Sequence, residues 1–175
     1  PWRPLLENLC ADLSALPLSS ASVDLVYSNL DIPFFDGCNE LDGLLKEVYR
    51  VLRPGGLFIF SSLGPDTLKE LRPFGDMRGL RLNRHLDMHD LGDRIMGVGF
   101  SDPVMEMEEL KLTYSNAITL LQDVRAHGSE PFHLNNLKGL TGKAELIAIS
   151  ERSKLENKGQ IMATAELVFG HAWLA

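Results

Sequence analysis

Cysteine, long apolar runs and excess positive charge are all scarce in this sequence of 175 residues. The two cysteines, Cys10 and Cys38, do not form a CxxC spacing, so a reduced, cytoplasmic compartment is favoured over a disulfide scaffold. The sequence shows no signal peptide and no apolar run that could cross a membrane. The net charge of −7 disfavours nucleic acid and anionic membranes as partners.

The residues that are present predict one α/β domain over residues 1–175. Hydrophobic residues make up 45% of the chain, which is enough for a single core. Strands are predicted near residues 8–12, 23–30, 57–62, 103–112 and 162–173. Helices are predicted at residues 40–53, 65–71, 90–99, 115–127 and 141–158. This order favours a sheet with helices on both faces and an antiparallel pair of C-terminal strands.

The stretch VLRPGGLFIFSSLGPDTLKEL, residues 51–71, locates the expected ligand site. It places a short apolar strand between two predicted helices, the first of them capped by Asn39. Strands that are apolar on both faces are typical of parallel sheets. Ligands of such sheets bind beyond the carboxyl ends of the strands, which here means residues 61–66. Residues 72–89 have no clear period and are predicted to form a lid or loop.

Several segments of the sequence together resemble one enzyme family. They are ADLSALPLSSASVDLVYSNL, LLKEVYRVLRPGGLFIFSSLGPDTLKEL, NRHLDMHDLGDRIMGVGFSDPVM and FGHAW. They are similar to the BioC family, the S-adenosylmethionine-dependent malonyl-acyl-carrier-protein O-methyltransferases of biotin synthesis. LRPGG occurs in class I methyltransferases generally, whereas LGPDTLKELR, DMHDLGD and GHAW are more specific. The resemblance implies a Rossmann-like class I methyltransferase sheet and methyl transfer to the free carboxylate of a malonyl thioester on acyl carrier protein.

The resemblance also implies elements that this sequence does not contain. Class I methyltransferases begin with a strand and a glycine-rich GxGxG turn, and their second strand ends in an acid that holds the ribose. Neither motif is found here, and the chain begins at Pro1 without a methionine. We therefore expect the chain to start at the family's third strand, with the first two strands missing. Such a chain is expected to bind S-adenosylmethionine weakly or not at all and to be inactive.

Four positions match the cofactor-binding residues of the family. The resemblance implies that Asp12 accepts a hydrogen bond from the adenine amino group and that Leu13 supplies a backbone donor and an apolar wall. It also places Ser28 and Asn29 beside the methionine half of the cofactor. An ordinary turn aspartate and a polar pair at a strand end are the alternative interpretations.

Positively charged residues in and before the predicted lid suggest the substrate side. The resemblance makes Arg84 a candidate clamp for the malonyl carboxylate, because a guanidinium fork can fix the plane of a carboxylate. Lys69, Arg72, Arg78 and Arg81 form a local positive run that could dock an acidic acyl carrier protein. A solvated arginine and a solvated loop are the alternatives.

Two further features of the sequence have simple structural explanations. His85 and His89 flank Asp87, but no third ligand is near in sequence, so helix capping by Asp87 or His89 is favoured and no metal site is predicted. Met105 and Met107 alternate on a predicted strand and are expected in the core.

Two functional hypotheses follow from the sequence. The first is a carboxyl methyltransferase of the BioC type. The second is a non-catalytic, methyltransferase-like module that binds a protein, as complex I assembly factors do; the missing glycine-rich turn favours it. Because the missing strands would leave the edge of the strand at residues 23–30 unpaired, we also expect a homodimer or a poorly behaved monomer.

Overall fold

A computed structural model describes residues 9–32, 38–71, 81–82, 85–126, 132–133 and 159–175. The elements in chain order are β1 Val23–Asn29, α1 Cys38–Val51, β2 Leu52–Leu63, β3 Arg81–Leu82, α2 Met88–Val98, β4 Ser101–Tyr114, α3 Ala117–Ala126, β5 Phe132–His133 and β6 Ile161–Trp173. The helix predicted at residues 141–158 lies outside the described residues. No helix in the described ranges is long and apolar enough to cross a membrane.

Four of the strands form one mixed sheet in the order β1-β2-β6-β4. Strand β1 runs parallel to β2, and this register places Asn29 opposite Ser61. Strand β6 lies between β2 and β4 and runs antiparallel to both. The predicted α/β class and the antiparallel C-terminal pair are therefore confirmed. Strands β3 and β5 form a separate two-stranded ribbon in which Arg81 is paired with His133.

The hydrophobic core lies between helices α1 and α2 and one face of the sheet. Its helical members repeat every three or four residues, and its strand members come from β2 and β6. The buried side chains include Leu41, Leu44, Leu45, Val48, Leu91, Ile95, Phe58, Phe60, Val168 and Ala172. The Phe58 ring lies 5.0 Å from that of Phe60 and 5.8 Å from that of Phe100, so three aromatic rings join β2 to the end of α2.

The opposite face of the sheet is more open in the part of the chain that the structure describes. Leu57 and Ile59 are only half-buried there, and Leu25 and Tyr27 on β1 are 53% and 65% exposed. Residues 57–60 of β2 therefore alternate between half-buried and buried, whereas residues 61–63 at its carboxyl end are all buried. Helices α1 and α2 both belong to the core on the first face.

The boundary between α1 and β2 differs from the sequence prediction. The helix begins at Cys38, so Asn39 lies inside it and does not cap it. The strand begins at Leu52, which pairs with Val23, and the register shifts before the next pair, Leu25 with Leu57. Gly55 adopts a φ of 78° in this bulge, and its amide donates to the Leu174 carbonyl at 2.7 Å. The Pro-Gly-Gly sequence thus shapes a bulge within the strand, which begins directly after the helix ends at Val51.

The helix predicted at residues 65–71 is reduced to a 3-10 turn at Lys69–Leu71. Leu68 has a φ of 56°, in the left-handed region, which a continuous right-handed helix cannot contain. Its amide instead donates to the Thr164 carbonyl at 2.7 Å, so contact with β6 overrides local helix propensity here.

Two predicted helix starts have different outcomes. Asp87 caps α2, because its carboxylate accepts from the amides of His89 and Asp90, as expected. Helix α3, predicted from residue 115, begins at Ala117, and Asn116 caps it by accepting from the Thr119 amide at 2.9 Å.

The predicted strand at residues 8–12 is not seen, because residues 9–12 have no regular structure. Within the described part of the chain, β1 therefore forms an edge of the sheet. Residues 88–89, which the sequence assigned to the end of the lid, belong to α2. Met107 is 45% exposed, so only Met105 packs against the core as predicted.

Candidate functional site

The carboxyl ends of β1 and β2 meet in a hydrogen-bonded polar pair. The Ser61 hydroxyl donates to Asn29 Oδ1 at 2.8 Å and accepts from the Leu30 amide at 3.1 Å. Leu30 has a φ of 59°, an unfavourable conformation for a residue with a side chain. Strained residues persist where the surrounding structure holds them, and they cluster at functional sites. The sheet edge predicted to bind a ligand is therefore a fixed polar turn.

Ser28 supports this turn from the core face of the sheet. It is buried, and its hydroxyl donates to Asp31 Oδ2 at 3.2 Å. Asn29 is exposed, so it can contact a ligand while Ser28 cannot do so without rearrangement. The two residues thus differ in what they can offer to a cofactor.

Asp12 lies in a solvent-exposed turn beside Leu13. Asp12 Oδ1 accepts from the Ser14 amide at 2.8 Å and the Ser14 hydroxyl at 2.7 Å. These two hydrogen bonds, the hydroxyl first, lower the pKa of the Asp12 carboxyl. Asp12 Oδ2 has no hydrogen bond to the described residues, and Leu13 is 39% exposed. A charged acceptor and an apolar side chain are therefore both accessible.

The loop after Asp12 is clasped to helix α1. Arg50 donates to the carbonyls of Leu16 at 3.0 Å and Leu18 at 2.8 Å, and Glu47 accepts from the Leu16 amide at 2.9 Å. Arg50 and Glu47 also pair at 2.8 Å, and this hydrogen bond lowers the pKa of Glu47. These hydrogen bonds, called the α1 clasp below, hold residues 16–18 against α1. Helix α1 is the first helix after the carboxyl end of β1.

The loop that follows β2, residues 64–70, lies against the C-terminal half of β4 and the N-terminal half of β6. Lys69 Nζ pairs with Glu109 at 2.5 Å and with Asp66 at 3.0 Å. The hydrogen bond to Glu109, and to a smaller extent that to Asp66, raises the pKa of Lys69. The hydrogen bond from Lys69, and to a smaller extent that from Lys111, lowers the pKa of Glu109. Because two carboxylates already compensate its charge, Lys69 is a poor contact for an acidic partner.

The structure brings some predicted site residues together and leaves others outside its description. Asn29 meets Ser61, whereas no hydrogen bond joins Asp12 to Ser28 or Asn29 in the described ranges. Arg72, Arg78 and Arg84, with most of the predicted lid, lie outside the described residues, and Arg81 is known only as part of β3.

His89 takes part in the N-terminal cap of α2 through its main-chain amide. The His89 amide donates to Asp87 Oδ1 at 2.8 Å as part of the helix cap. No group of three or more His, Cys, Asp or Glu residues within the described segments could hold a metal ion.

Sequence reasoning missed Glu166, a buried carboxylate on β6 that accepts from the Asp66 amide. A signal for it exists in ATAELVFG, residues 163–170, because Glu166 is the single acid in an otherwise apolar or neutral strand. An acidic side chain on the face of a strand that points into the core needs a hydrogen-bond donor. Here the loop after β2 provides that donor.

Comparison with known sequences identifies relatives along nearly the whole chain. The model of a family described as a methyltransferase domain matches residues 2–60. A malonyl-acyl-carrier-protein O-methyltransferase of Gallionella capsiferriformans is 46% identical, over 98% of this chain and 61% of that protein. The enzyme of the same name from a Methylovorus species is 41% identical, over 94% of this chain and 56% of that protein. The chain therefore spans less than two thirds of the length of these relatives.

Solved structures share the fold at low sequence identity. A candidate methyltransferase from Bacillus halodurans aligns with a TM-score of 0.61 and 13% identity, over 95% of this chain and 76% of that one. The YcgJ protein of Bacillus subtilis aligns with a TM-score of 0.58 and 13% identity, over 92% of this chain and 68% of that one. The fold is that of class I methyltransferases, and by sequence the chain is similar, along nearly its whole length, to proteins named malonyl-acyl-carrier-protein O-methyltransferase.

Proposed function

We propose that the protein transfers a methyl group from S-adenosylmethionine to the free carboxylate of a malonyl thioester on acyl carrier protein, a step of biotin synthesis. The observation that carries the proposal is the 46% identity to an enzyme of this name along 98% of the chain. Because the chain spans 61% of that relative, we propose this activity for the protein at the length of its relatives. The chain of 175 residues alone is proposed to be inactive.

The described residues fit part of the cofactor. The free oxygen of Asp12 can accept from the adenine amino group, and the exposed Leu13 side chain offers an apolar surface beside it. Asn29 lies at the carboxyl edge of the sheet, where it would contact the methionine half, with Ser28 supporting it from the core. When bound, S-adenosylmethionine supplies the methyl group on its sulfonium. No glycine-rich turn or ribose acid is found in this sequence, so we propose that this chain alone binds the cofactor weakly.

The proposed reaction asks the protein mainly for orientation. A malonyl carboxylate is ionised at neutral pH, so it needs no general base to become a nucleophile. It needs its charge balanced and one oxygen directed at the methyl group. We propose that Arg84 does this with a bidentate pair. We further propose that the acidic carrier protein docks on Arg72, Arg78 and Arg81, whereas Lys69 is already paired.

The proposal also covers assembly and location. An edge strand that is unpaired, as β1 is in the described part of the chain, can pair with a second copy, so we propose a homodimer for this chain. The absence of a CxxC spacing and the acidic charge support a cytoplasmic location.

Titration calorimetry with S-adenosylmethionine tests the proposal. The measurement compares this chain with a form extended by the N-terminal segment that the family resemblance implies. We expect binding only for the extended form, together with methylation of malonyl-acyl carrier protein. If the extended form binds no cofactor, the methyltransferase proposal is wrong and a protein-binding role replaces it.

Asp12→Ala in the extended form is expected to weaken cofactor affinity by about ten-fold, the usual scale for one lost hydrogen bond. The variant removes the acceptor for the adenine amino group and leaves the α1 clasp intact. Asp24→Ala is the matched control, since Asp24 is an exposed aspartate near the opposite end of β1. Equal affinities of the two variants in calorimetry would show that Asp12 does not contact the cofactor.

Arg84→Ala in the extended form is expected to lower kcat/KM for malonyl-acyl carrier protein by roughly 10- to 100-fold, which corresponds to a lost hydrogen-bonded charge pair. Cofactor affinity should not change, because the partner of Arg84 is the substrate carboxylate. Arg84→Lys keeps the charge without the fork and should recover only part of the rate. Unchanged malonyl transfer by Arg84→Ala would contradict the assigned clamp.

A further inference from the structure

Glu166 is a buried acid whose side chain and main-chain carbonyl both accept hydrogen bonds from the loop after β2. Its exposed fraction is 8%, and it lies on the face of β6 that also carries Thr164 and Val168. A buried carboxylate is costly unless hydrogen bonds compensate for its lost hydration. Glu166 Oε2 accepts from the Asp66 amide at 2.5 Å, and its main-chain carbonyl accepts from the Gly64 amide at 2.9 Å. The loop after β2 thus supplies its partners.

Gly64 is matched in shape to this carboxylate. A Cβ atom on Gly64 would lie 2.4 Å from Glu166 Cδ, which no real contact permits. The Glu166 side chain is buried and hydrogen-bonded, so it cannot move aside easily. The glycine of the LGPD segment is therefore explained by the close passage of the loop over Glu166.

The other end of the loop is held by a second set of contacts to β6. The Leu68 amide donates to the Thr164 carbonyl at 2.7 Å, and the Thr164 amide donates to Glu70 Oε2 at 2.9 Å. The Thr164 hydroxyl also donates to Glu70 Oε1. These contacts hold Leu68 in its left-handed conformation, which is unfavourable by itself. Residues 64–70 are therefore fixed at both ends on one strand.

We infer that Glu166 is a positioning residue, which holds the loop at residues 64–70 in the conformation that forms the substrate-side wall at the carboxyl end of β2. The loop begins at the end of β2, shortly after Ser61 of the Asn29–Ser61 pair, so its course sets the shape of that edge. The role in substrate binding rests on the proposed function. The role in fixing the loop rests only on the contacts above.

Hydrogen exchange of the loop amides tests the structural part of the inference in this chain. In Glu166→Ala, the amides of Gly64, Asp66 and Leu68 should exchange roughly 10- to 100-fold faster, because the charged acceptor at the start of the loop is lost. Glu166→Gln keeps an acceptor oxygen and should restore most of the protection. Glu108→Ala, an exposed acid on β4, should change nothing in the loop. Unchanged exchange in Glu166→Ala would overturn the inference.

A second variant covers the case in which Glu166→Ala does not fold. Gly64→Ala leaves the carboxylate in place but pushes the loop away from it, so the same three amides should lose protection. Normal protection in Gly64→Ala would equally overturn the inference.

Kinetics of the extended form test the role in substrate binding. Glu166→Ala should raise KM for malonyl-acyl carrier protein about ten-fold, with an unchanged dissociation constant for S-adenosylmethionine and rescue by Glu166→Gln. If the unsubstituted extended form transfers no methyl group, the proposed function fails while the exchange result still decides the loop. If it does transfer methyl groups and Glu166→Ala frees the loop without changing KM, the positioning role is wrong.

Discussion

Gly170→Ala is expected to destabilise the fold by about 3 kcal/mol, the upper end of the usual cost of overpacking a core. A Cβ atom at this position would lie 2.2 Å from Cζ of Phe60 and 2.8 Å from Sδ of Met105. The methionine can adjust, but Phe60 is buried and stacked against Phe58 at 5.0 Å. Strand β6 is paired on both sides, so the backbone cannot retreat either. Urea unfolding of this chain, followed by circular dichroism, measures the effect.

Gly97→Ala is the matched control for this experiment. Gly97 is an exposed glycine in α2, and nothing lies within 4 Å of the position that a Cβ atom would take. Alanine should stabilise the helix there by roughly 0.5–1 kcal/mol, because it lowers the entropy of the unfolded chain. The two substitutions are chemically identical and should have opposite signs. A Gly170→Ala protein as stable as the original would show that β6 does not pack against Phe60 as described.

Phe58→Ala is expected to destabilise the fold by about 3–5 kcal/mol, the range for removing a buried aromatic ring. Phe58 is fully buried and touches both Phe60 and Phe100, so its loss leaves a cavity between β2 and the end of α2. The rings of Phe60 and Phe100 would also lose their aromatic contacts. The same urea unfolding experiment measures this change.

Phe169→Ala provides the control for the aromatic ring. Phe169 lies on β6 opposite Ser61, and its side chain is 38% exposed on the other face of the sheet. Its truncation should cost clearly less than that of Phe58, about 1–2 kcal/mol, because less surface returns to water. Equal losses for the two variants would contradict the assignment of the core to the α1 and α2 face.

Local pattern determined the elements that have a strong period or a definite cap. The spacing of Leu41, Leu44, Leu45 and Val48 is that of one helix face and indicates α1, and Asp87 was one of two candidate caps for α2, whose start was predicted at residue 90. The mixed sheet followed from the order of apolar segments, since a strand between two helices favours a parallel neighbour. The sequence also identified the sheet edge where Asn29 and Ser61 meet, because carboxyl ends of parallel strands share one edge.

Long-range contacts decided the places where the prediction was wrong. Residues 65–71 have the composition of a helix, but two of their amides donate to residues about a hundred positions away in sequence. The Leu68 amide donates to the Thr164 carbonyl and the Asp66 amide to the Glu166 carboxylate, and these bonds hold the segment as turns. The strand predicted to start at residue 57 starts at Leu52 instead, because Leu52 pairs with Val23 and the Pro-Gly-Gly segment becomes a bulge. A single sequence does not reveal which distant strand will supply such partners.

Taken by itself, the sequence determined the α/β class, the amphipathic helices, the family resemblance and the edge of the sheet that carries the candidate site. These features depend on residue type and on spacing over a few turns or strand residues, which a sequence displays directly. Only the tertiary structure explains the glycines of the GHAW and LGPD segments, Gly170 and Gly64. Gly170 leaves room for Phe60, and Gly64 leaves room for Glu166, in each case across strands that meet only after folding. Packing at close approach depends on which atoms face each other, and that is settled by the register of the sheet.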